Sequence, residues 1–183
     1  CAAPCGHGRV VPVHAAGLAH IPSDRYDMGL LSDFSVAENL FLQRIGQPPF
    51  TVGIAATVLG YGLALGKDNY VIAGWIAIGT LVFASLLKLV LRRVRPRNAY
   101  VRSMLFQTYS FPSGHAAGSL VSYGLAAFVI TAKWPEFAVA AWIAAAFISL
   151  MIGLSRVYLG AHYASDVIGG WLVGAIGLAF IVV

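Results

Sequence analysis

Charge is what this chain has least of. Its 12 Lys and Arg and 7 Asp and Glu make up 10% of 183 residues, whereas a soluble globular domain carries about a quarter. With 59% hydrophobic residues and a mean hydropathy of +0.80, that scarcity excludes an ordinary water-soluble domain. Cysteine is nearly missing too: Cys1 and Cys5 stand together at one end and provide no disulfide framework. With His7 and His14 they match no standard metal-site spacing, so no metal or other cofactor is expected. The first 47 residues contain no apolar run long enough to cross a bilayer, no initiator Met and no signal-peptide pattern, which suggests a fragment or a processed product.

What is present is long apolar sequence. From Pro48 onward the chain is broken only at Lys67–Asn69, Arg92–Ser110, Lys133–Glu136 and Ser155–His162. A spanning helix takes about 20 apolar residues, so the breaks predict spans over 48–66, 70–91, 112–132, 136–155 and 162–183. Backbone in lipid must satisfy its own hydrogen bonds, and these runs are too long and continuous for barrel strands. The expected fold is therefore an all-α polytopic transmembrane bundle with five recognisable spans. The expected domains are a non-spanning head, 1–47, and a membrane domain, 48–183. Counting spans puts the 92–110 loop and the 155–162 turn on the same membrane face.

The few charges gather there. Arg92, Arg93, Arg95, Arg97 and Arg102 fall within eleven positions. Such a cluster suits an anionic lipid surface or an anionic substrate, and apolar spans on both sides argue against nucleic acid. Lys88, Arg92 and Arg95, spaced by four and three, share a face if the helix continues. They read either as interface anchors or, for a cation within a span, as functional groups. Phe111-Pro112-Ser113-Gly114-His115 stands where polar loop becomes apolar helix. Pro and Ser there are explained by helix initiation, whereas His115 is not, and a helix N-terminus is also an anion site. His162 and Asp166, at i and i+4 on a continuous helix, would let the carboxylate hold one ring nitrogen and leave the other basic. The same pair also reads as a buried polar contact. Arg forks, a Lys charge and helix amides converging at one interface make a site for a phosphoryl group.

Lys88 with Arg95-Pro96, then Pro112-Ser113-Gly114-His115, then Ser155-Arg156 with His162 and Asp166, resemble the three-part signature of the type 2 phosphatidic acid phosphatase superfamily, over residues 50–183. The resemblance implies a metal-independent phosphatase acting on a lipid phosphate in the bilayer. His162 would be the nucleophile, Asp166 its orienting partner and His115 the general acid. Lys88, Arg95, Arg156, Ser113 and the Gly114 amide would bind the phosphoryl oxygens, a cage that can also hold vanadate or free phosphate. Phosphatidic acid, phosphatidylglycerol phosphate, undecaprenyl diphosphate and lipid A phosphates all remain candidate substrates. A phosphotransferase with the same site and a non-catalytic bundle or transporter fragment are the rival readings. Membrane members of the family usually have six spans with the lysine motif ending the third, whereas here it ends the second. The cation count would place the 92–110 loop in the cytoplasm, while the family resemblance implies a bacterial inner-membrane protein with its site facing the periplasm. A short stretch, 17–45, is similar to part of the ATPase subunits of sugar and nucleoside ABC importers, without a phosphate-binding glycine loop.

Overall fold

The computed structural model describes residues 42, 44–97, 101 and 108–183. Most of the head, including Cys1, Cys5, His7, His14 and nearly all of the ABC-like stretch, lies outside the described residues, as does Arg102. Among the described residues, five helices are long and apolar enough to cross a membrane. They are α1 (Pro48–Leu65), α2 (Asp68–Leu91), α3 (Gly114–Lys133), α4 (Ala138–Tyr158, preceded by the short 3-10 turn Pro135–Phe137) and α5 (Ala164–Val182). At 1.5 Å per residue they reach about 27 to 36 Å, enough for a hydrocarbon core of about 30 Å. No strand occurs among the described residues.

The helix ends follow from local chemistry. Pro occupies the first turn of α1, where a missing N–H costs nothing. Gly66, at φ 61°, ends that helix in the left-handed conformation, and Lys67 N–H donates back to the Gly62 carbonyl at 2.9 Å. The chain thus turns at once into α2, with Asp68 in its positively polarised first turn. Ser113 caps α3, its Oγ accepting from Ala116 N–H at 3.4 Å. Trp134-Pro135 ends that helix.

Helix α3 is the pillar. It packs against each of the other four helices, and α4 touches α5 only lightly. Most of its buried residues are small, among them Ala116, Ala117, Gly118, Ser119, Ser122 and Gly124, with Val121 and Leu125 the larger ones. Large side chains point outward instead: Val139, Ile143, Phe147, Leu150 and Leu154 form one exposed stripe on α4, and Ile168, Leu172, Ile176 and Phe180 another on α5. Such a bundle fits lipid, where helices gain by close backbone approach and apolar side chains lose nothing by facing outward. Some buried hydroxyls bond to their own helix, as Thr80 does to the Ile76 carbonyl at 2.8 Å and Ser119 to that of Ala116 at 3.1 Å, while Ser122 bonds across to the Thr51 carbonyl at 3.0 Å.

Two of the expected spans shift in ways that matter for function. Helix α4 runs three residues past the expected end at 155, so Arg156 is helical and buried at 2% exposure. Helix α5 starts at Ala164 rather than 162, because the chain turns at Gly160 (φ 61°) and Tyr163 is the N-cap. The last residues before α1 also join the bundle. Leu42 and Ile45 pack on Ile152, and Tyr123 donates to the Ile45 carbonyl at 3.1 Å.

Close approach of α5 to α3 makes a test. A methyl on Gly170 would stand 2.5 Å from the Ser113 carbonyl oxygen, and one on Gly174 2.8 Å from that of Ala117. Gly170→Ala is expected to cost about 1 to 3 kcal/mol and to lower the thermal unfolding midpoint in detergent. Gly79→Ala, with nothing within 4 Å, should leave the midpoint unchanged or raise it.

Candidate functional site

Three chain segments meet at the end of the bundle where α2 and α4 finish and α3 and α5 begin. The first leaves α2 at Arg92, which adopts φ 46° and donates its N–H to the Lys88 carbonyl. The helix therefore stops before Arg95, and Lys88, Arg92 and Arg95 do not share a helical face as their spacing suggested. The turn carries the chain back across the bundle end. Arg92 stays exposed and its Nε donates to the Leu89 carbonyl at 3.0 Å, whereas Arg95 reaches inward.

The second segment is the run into α3. Ser110 N–H donates to the Arg93 carbonyl at 2.7 Å, and Ser113 N–H to the Asp166 carbonyl at 2.8 Å, so this segment is stitched to both of the others. Gly114 opens the helix so close to Lys88 that an added methyl would lie 3.3 Å from Nζ. His115 follows one residue later, within electrostatic reach of Arg156, His162, Lys88 and Arg95. It also abuts the pre-α1 segment, since a methyl on Gly46 would lie 3.3 Å from its Cδ2.

The third segment corrects the expected pairing of His162 with Asp166. His162 lies ahead of the N-cap rather than on α5, so the two side chains are not neighbours on one helical face. Asp166 turns back on its own helix end, Oδ2 accepting from Tyr163 N–H at 2.9 Å, and His162 Nδ1 is left 3.6 Å from that oxygen, beyond hydrogen-bond reach. Ser110 fills the gap. Its hydroxyl bonds to Asp166 Oδ2 and lies 3.4 Å from His162 Nδ1. The other carboxylate oxygen takes Arg93 Nη1 at 2.7 Å. Arg93 also donates to Ser165 Oγ at 2.7 Å and stacks over the Tyr163 ring at 4.4 Å.

His162 is 2% exposed, and its far nitrogen, Nε2, meets Arg95 Nη1 at 3.3 Å. Arg95 is held in turn by the Thr108 carbonyl at 2.8 Å, the Thr108 hydroxyl at 3.0 Å and the Ala161 carbonyl at 3.1 Å. Burial, and then the charges of Arg95, Lys88 and Arg156, hold the His162 ring far below the ordinary histidine range, opposed by its hydrogen bond to the Ser110 main chain. Beside this group a cleft of about 420 Å³ is lined by Arg93, Arg95, Arg97, Thr108 and Tyr109, with Val94, Pro96 and Val101.

Lys88, Arg95, Ser113, Gly114, His115, Arg156, His162 and Asp166 thus all lie at this one bundle end. Sequence reasoning missed two that belong with them. Arg93 was one cation in a cluster of five, and Ser110 stood two residues ahead of Pro112 with no spacing to mark it. Among the described residues no three His, Cys, Asp or Glu side chains group as metal ligands.

The chain is similar to known proteins. A family model described as the PAP2 superfamily matches residues 69–183. The chain is 35% identical over 100 residues to an undecaprenyl-diphosphatase of Sulfolobus acidocaldarius, covering 52% of this chain and 45% of that protein. It is 35% identical over 92 residues to phosphatidylglycerophosphatase B of Bacillus subtilis, covering 49% of this chain and 44% of that one. The match thus spans under half of each of these relatives. The crystal structure of a transmembrane PAP2-type phosphatidylglycerolphosphate phosphatase from Bacillus subtilis superposes with a TM-score of 0.69 at 23% identity, over 82% of this chain and 78% of that one. It shares the fold.

Two outcomes are expected from the geometry. Arg93→Ala strips one oxygen of the fully buried Asp166 of its donor. Because Arg93 is itself 40% exposed, the cost should be about 1 to 2 kcal/mol, read as a lower unfolding midpoint, while Arg92→Ala changes it little. A lowered pKa means that the His162 ring is neutral at every pH above it. Its ¹⁵N resonances should therefore hold neutral-imidazole values from about pH 8 down to about pH 5, and a midpoint near the ordinary value would contradict the electrostatics.

Proposed function

The chain belongs to the PAP2 superfamily, and from that membership and the site geometry we propose that it is an integral membrane lipid phosphatase working through a phosphohistidine. The observation that carries this reading is the setting of His162. One ring nitrogen is occupied by Ser110 beside Asp166, and the other faces Arg95 with Lys88 and Arg156 nearby. A neutral imidazole with a free lone pair in a cationic pocket is a nucleophile aimed at an anion.

The reaction follows from the donors. Lys88, Arg95, Arg156, the Ser113 hydroxyl and the Gly114 amide hold the non-bridging oxygens, whose charge the transition state spreads. His162 Nε2 attacks phosphorus in line, forming the N–P bond as the bond to the lipid oxygen breaks. His115, at the opening of α3, gives its proton to that departing oxygen. Water then attacks the phosphohistidine, His115 takes a proton from it, and inorganic phosphate leaves with His162 restored. Each step uses side chains, the Gly114 amide and water, so the proposed enzyme needs no metal. Vanadate, which adopts the five-coordinate geometry of the transfer, would compete for the same donors.

The substrate we propose is a lipid carrying a phosphomonoester or diphosphate. The phosphoryl site sits where helices meet polar loops, so the phosphate would lie at headgroup depth with the tail in lipid. The two relatives named above act, by their names, on undecaprenyl diphosphate and phosphatidylglycerophosphate, which are candidates of this class. We orient the site toward the periplasm of a bacterial inner membrane. Two of the five cations that would argue otherwise are committed to the site: Arg93 to Asp166 and Arg95 to Thr108 and Ala161.

Purified protein in detergent, given a panel of lipid phosphates and diphosphates, should release inorganic phosphate at a rate unchanged by EDTA and lowered by vanadate. His162→Ala should reduce release to background. His115→Ala should cost about 10² to 10⁴-fold on an alkyl phosphate and much less on an aryl phosphate, whose leaving group needs no proton. A wild-type rate equal to that of His162→Ala on every substrate would defeat the assignment.

A further inference from the structure

Asp166 has no contact at hydrogen-bond distance with His162, yet the two lie in one buried group with Ser110 between them. Ser110 and Asp166 have no solvent exposure, and His162 has 2%. A carboxylate paired with Arg93 has only lone pairs to offer, so the hydrogen in the Ser110–Asp166 bond is the one on the hydroxyl. The Ser110 oxygen then presents lone pairs to His162 Nδ1, 3.4 Å away. Lone pairs on that side require Nδ1 to carry the ring hydrogen. Nε2 is left bare, facing Arg95 Nη1, a group that can only donate. The order of donation runs His162 to Ser110 to Asp166, and Arg93 meets the carboxylate from the other side.

We propose that Ser110 is a positioning residue, the hydroxyl through which Asp166 fixes the tautomer and orientation of His162, an assignment that rests on reading His162 as the attacking group. Its main chain serves the same end, because Ser110 N–H is fastened to the Arg93 carbonyl at 2.7 Å. Arg93 thus anchors Ser110 through its backbone and Asp166 through its guanidinium. When His162 takes on the phosphoryl group at Nε2, positive charge develops on the ring and its Nδ1–H becomes a stronger donor. The Ser110 oxygen receives that hydrogen bond and passes the polarisation to Asp166 without itself losing a proton. No proton changes owner along the line, so the hydroxyl is neutral before and after the step.

The test has two independent arms. Protein labelled with ¹⁵N-histidine, with the His162 signals assigned by comparison with His162→Gln, should show the Nδ1–H tautomer in the wild type. The Nε2–H tautomer would overturn the proposal without any variant at Ser110. In the kinetic arm, Ser110→Ala should lower kcat by about 10- to 100-fold, the range for removing a partner that orients a functional histidine, with KM for the lipid phosphate within about twofold. In an Asp166→Asn background the same substitution should cost less than about twofold, since a relay is broken once. An unchanged kcat in Ser110→Ala, or losses that multiply in the double variant, would overturn the proposal. A Ser110→Ala protein that unfolds leaves the wild-type ring spectrum to decide. Wild-type protein that releases no phosphate from any lipid would defeat the phosphatase reading instead, and the tautomer measurement would still stand.

Discussion

A carboxylate with no solvent exposure at the end of an apolar bundle is tolerable only if donors replace the water it has lost. Asp166 meets that demand from three parts of the chain: Arg93 after α2, Ser110 before α3, and Tyr163 N–H at the start of its own helix. Its carbonyl adds a fourth link, to Ser113 N–H. The start of α3, the start of α5 and the exit of α2 are therefore fixed to one another by a single residue. Arg95, Lys88 and Arg156 come into register around His162 because those segments are fixed. Remove the carboxylate and the segments keep only their main-chain links, Ser110 to Arg93 and Ser113 to Asp166, and the Arg95 contacts.

The bundle below supplies rigidity of another kind. Lipid gives helices no hydrophobic reason to associate, so they associate by fit. Apart from Val121 and Leu125, the buried residues of α3 are Ala, Gly and Ser, and Gly170 and Gly174 of α5 lie against its backbone. An exact backbone-to-backbone seam leaves α3 little freedom to slide, and its N-terminus carries Gly114 and His115. Packing at mid-membrane thus reaches the chemistry through the axis of one helix.

The spans were readable in the sequence because lipid demands long apolar runs, and polar breaks such as Lys67–Asn69 can only be loops. The residues of the site were readable because spacing along the chain identified them, Lys88 with Arg95 and His162 with Asp166 among them. Their geometry was not. Both pairs were placed by assuming that a helix ran through them, and in both cases it does not: α2 stops at Leu91, and α5 starts after Tyr163. Arg92 and Gly160, the residues that turn the chain, adopt left-handed conformations. For Arg92 nothing in its side chain announces this. Ser110 and Arg93 were invisible for a related reason. Their roles exist only across contacts of more than fifty positions in sequence, and hydroxyls and arginines at a membrane face are common enough to pass without remark.

One set of charges governs both halves of the proposed chemistry. Lys88, Arg95 and Arg156 oppose a proton on His162, as burial does, and so keep its lone pair available. The same cations would hold the phosphoryl oxygens as negative charge spreads over them. A phosphate dianion entering the pocket offsets their field, which, after burial, is what makes a positively charged ring unfavourable. The ring therefore becomes able to carry positive charge at the stage when the N–P bond gives it one. Asp166, reaching the ring through Ser110, adds to this at short range, and Arg93 keeps the carboxylate from turning toward the cations of the pocket. The site needs the carboxylate near the histidine but not in the phosphate cage. Placing Asp166 in the first turn of α5, one hydroxyl removed from the ring, satisfies both conditions.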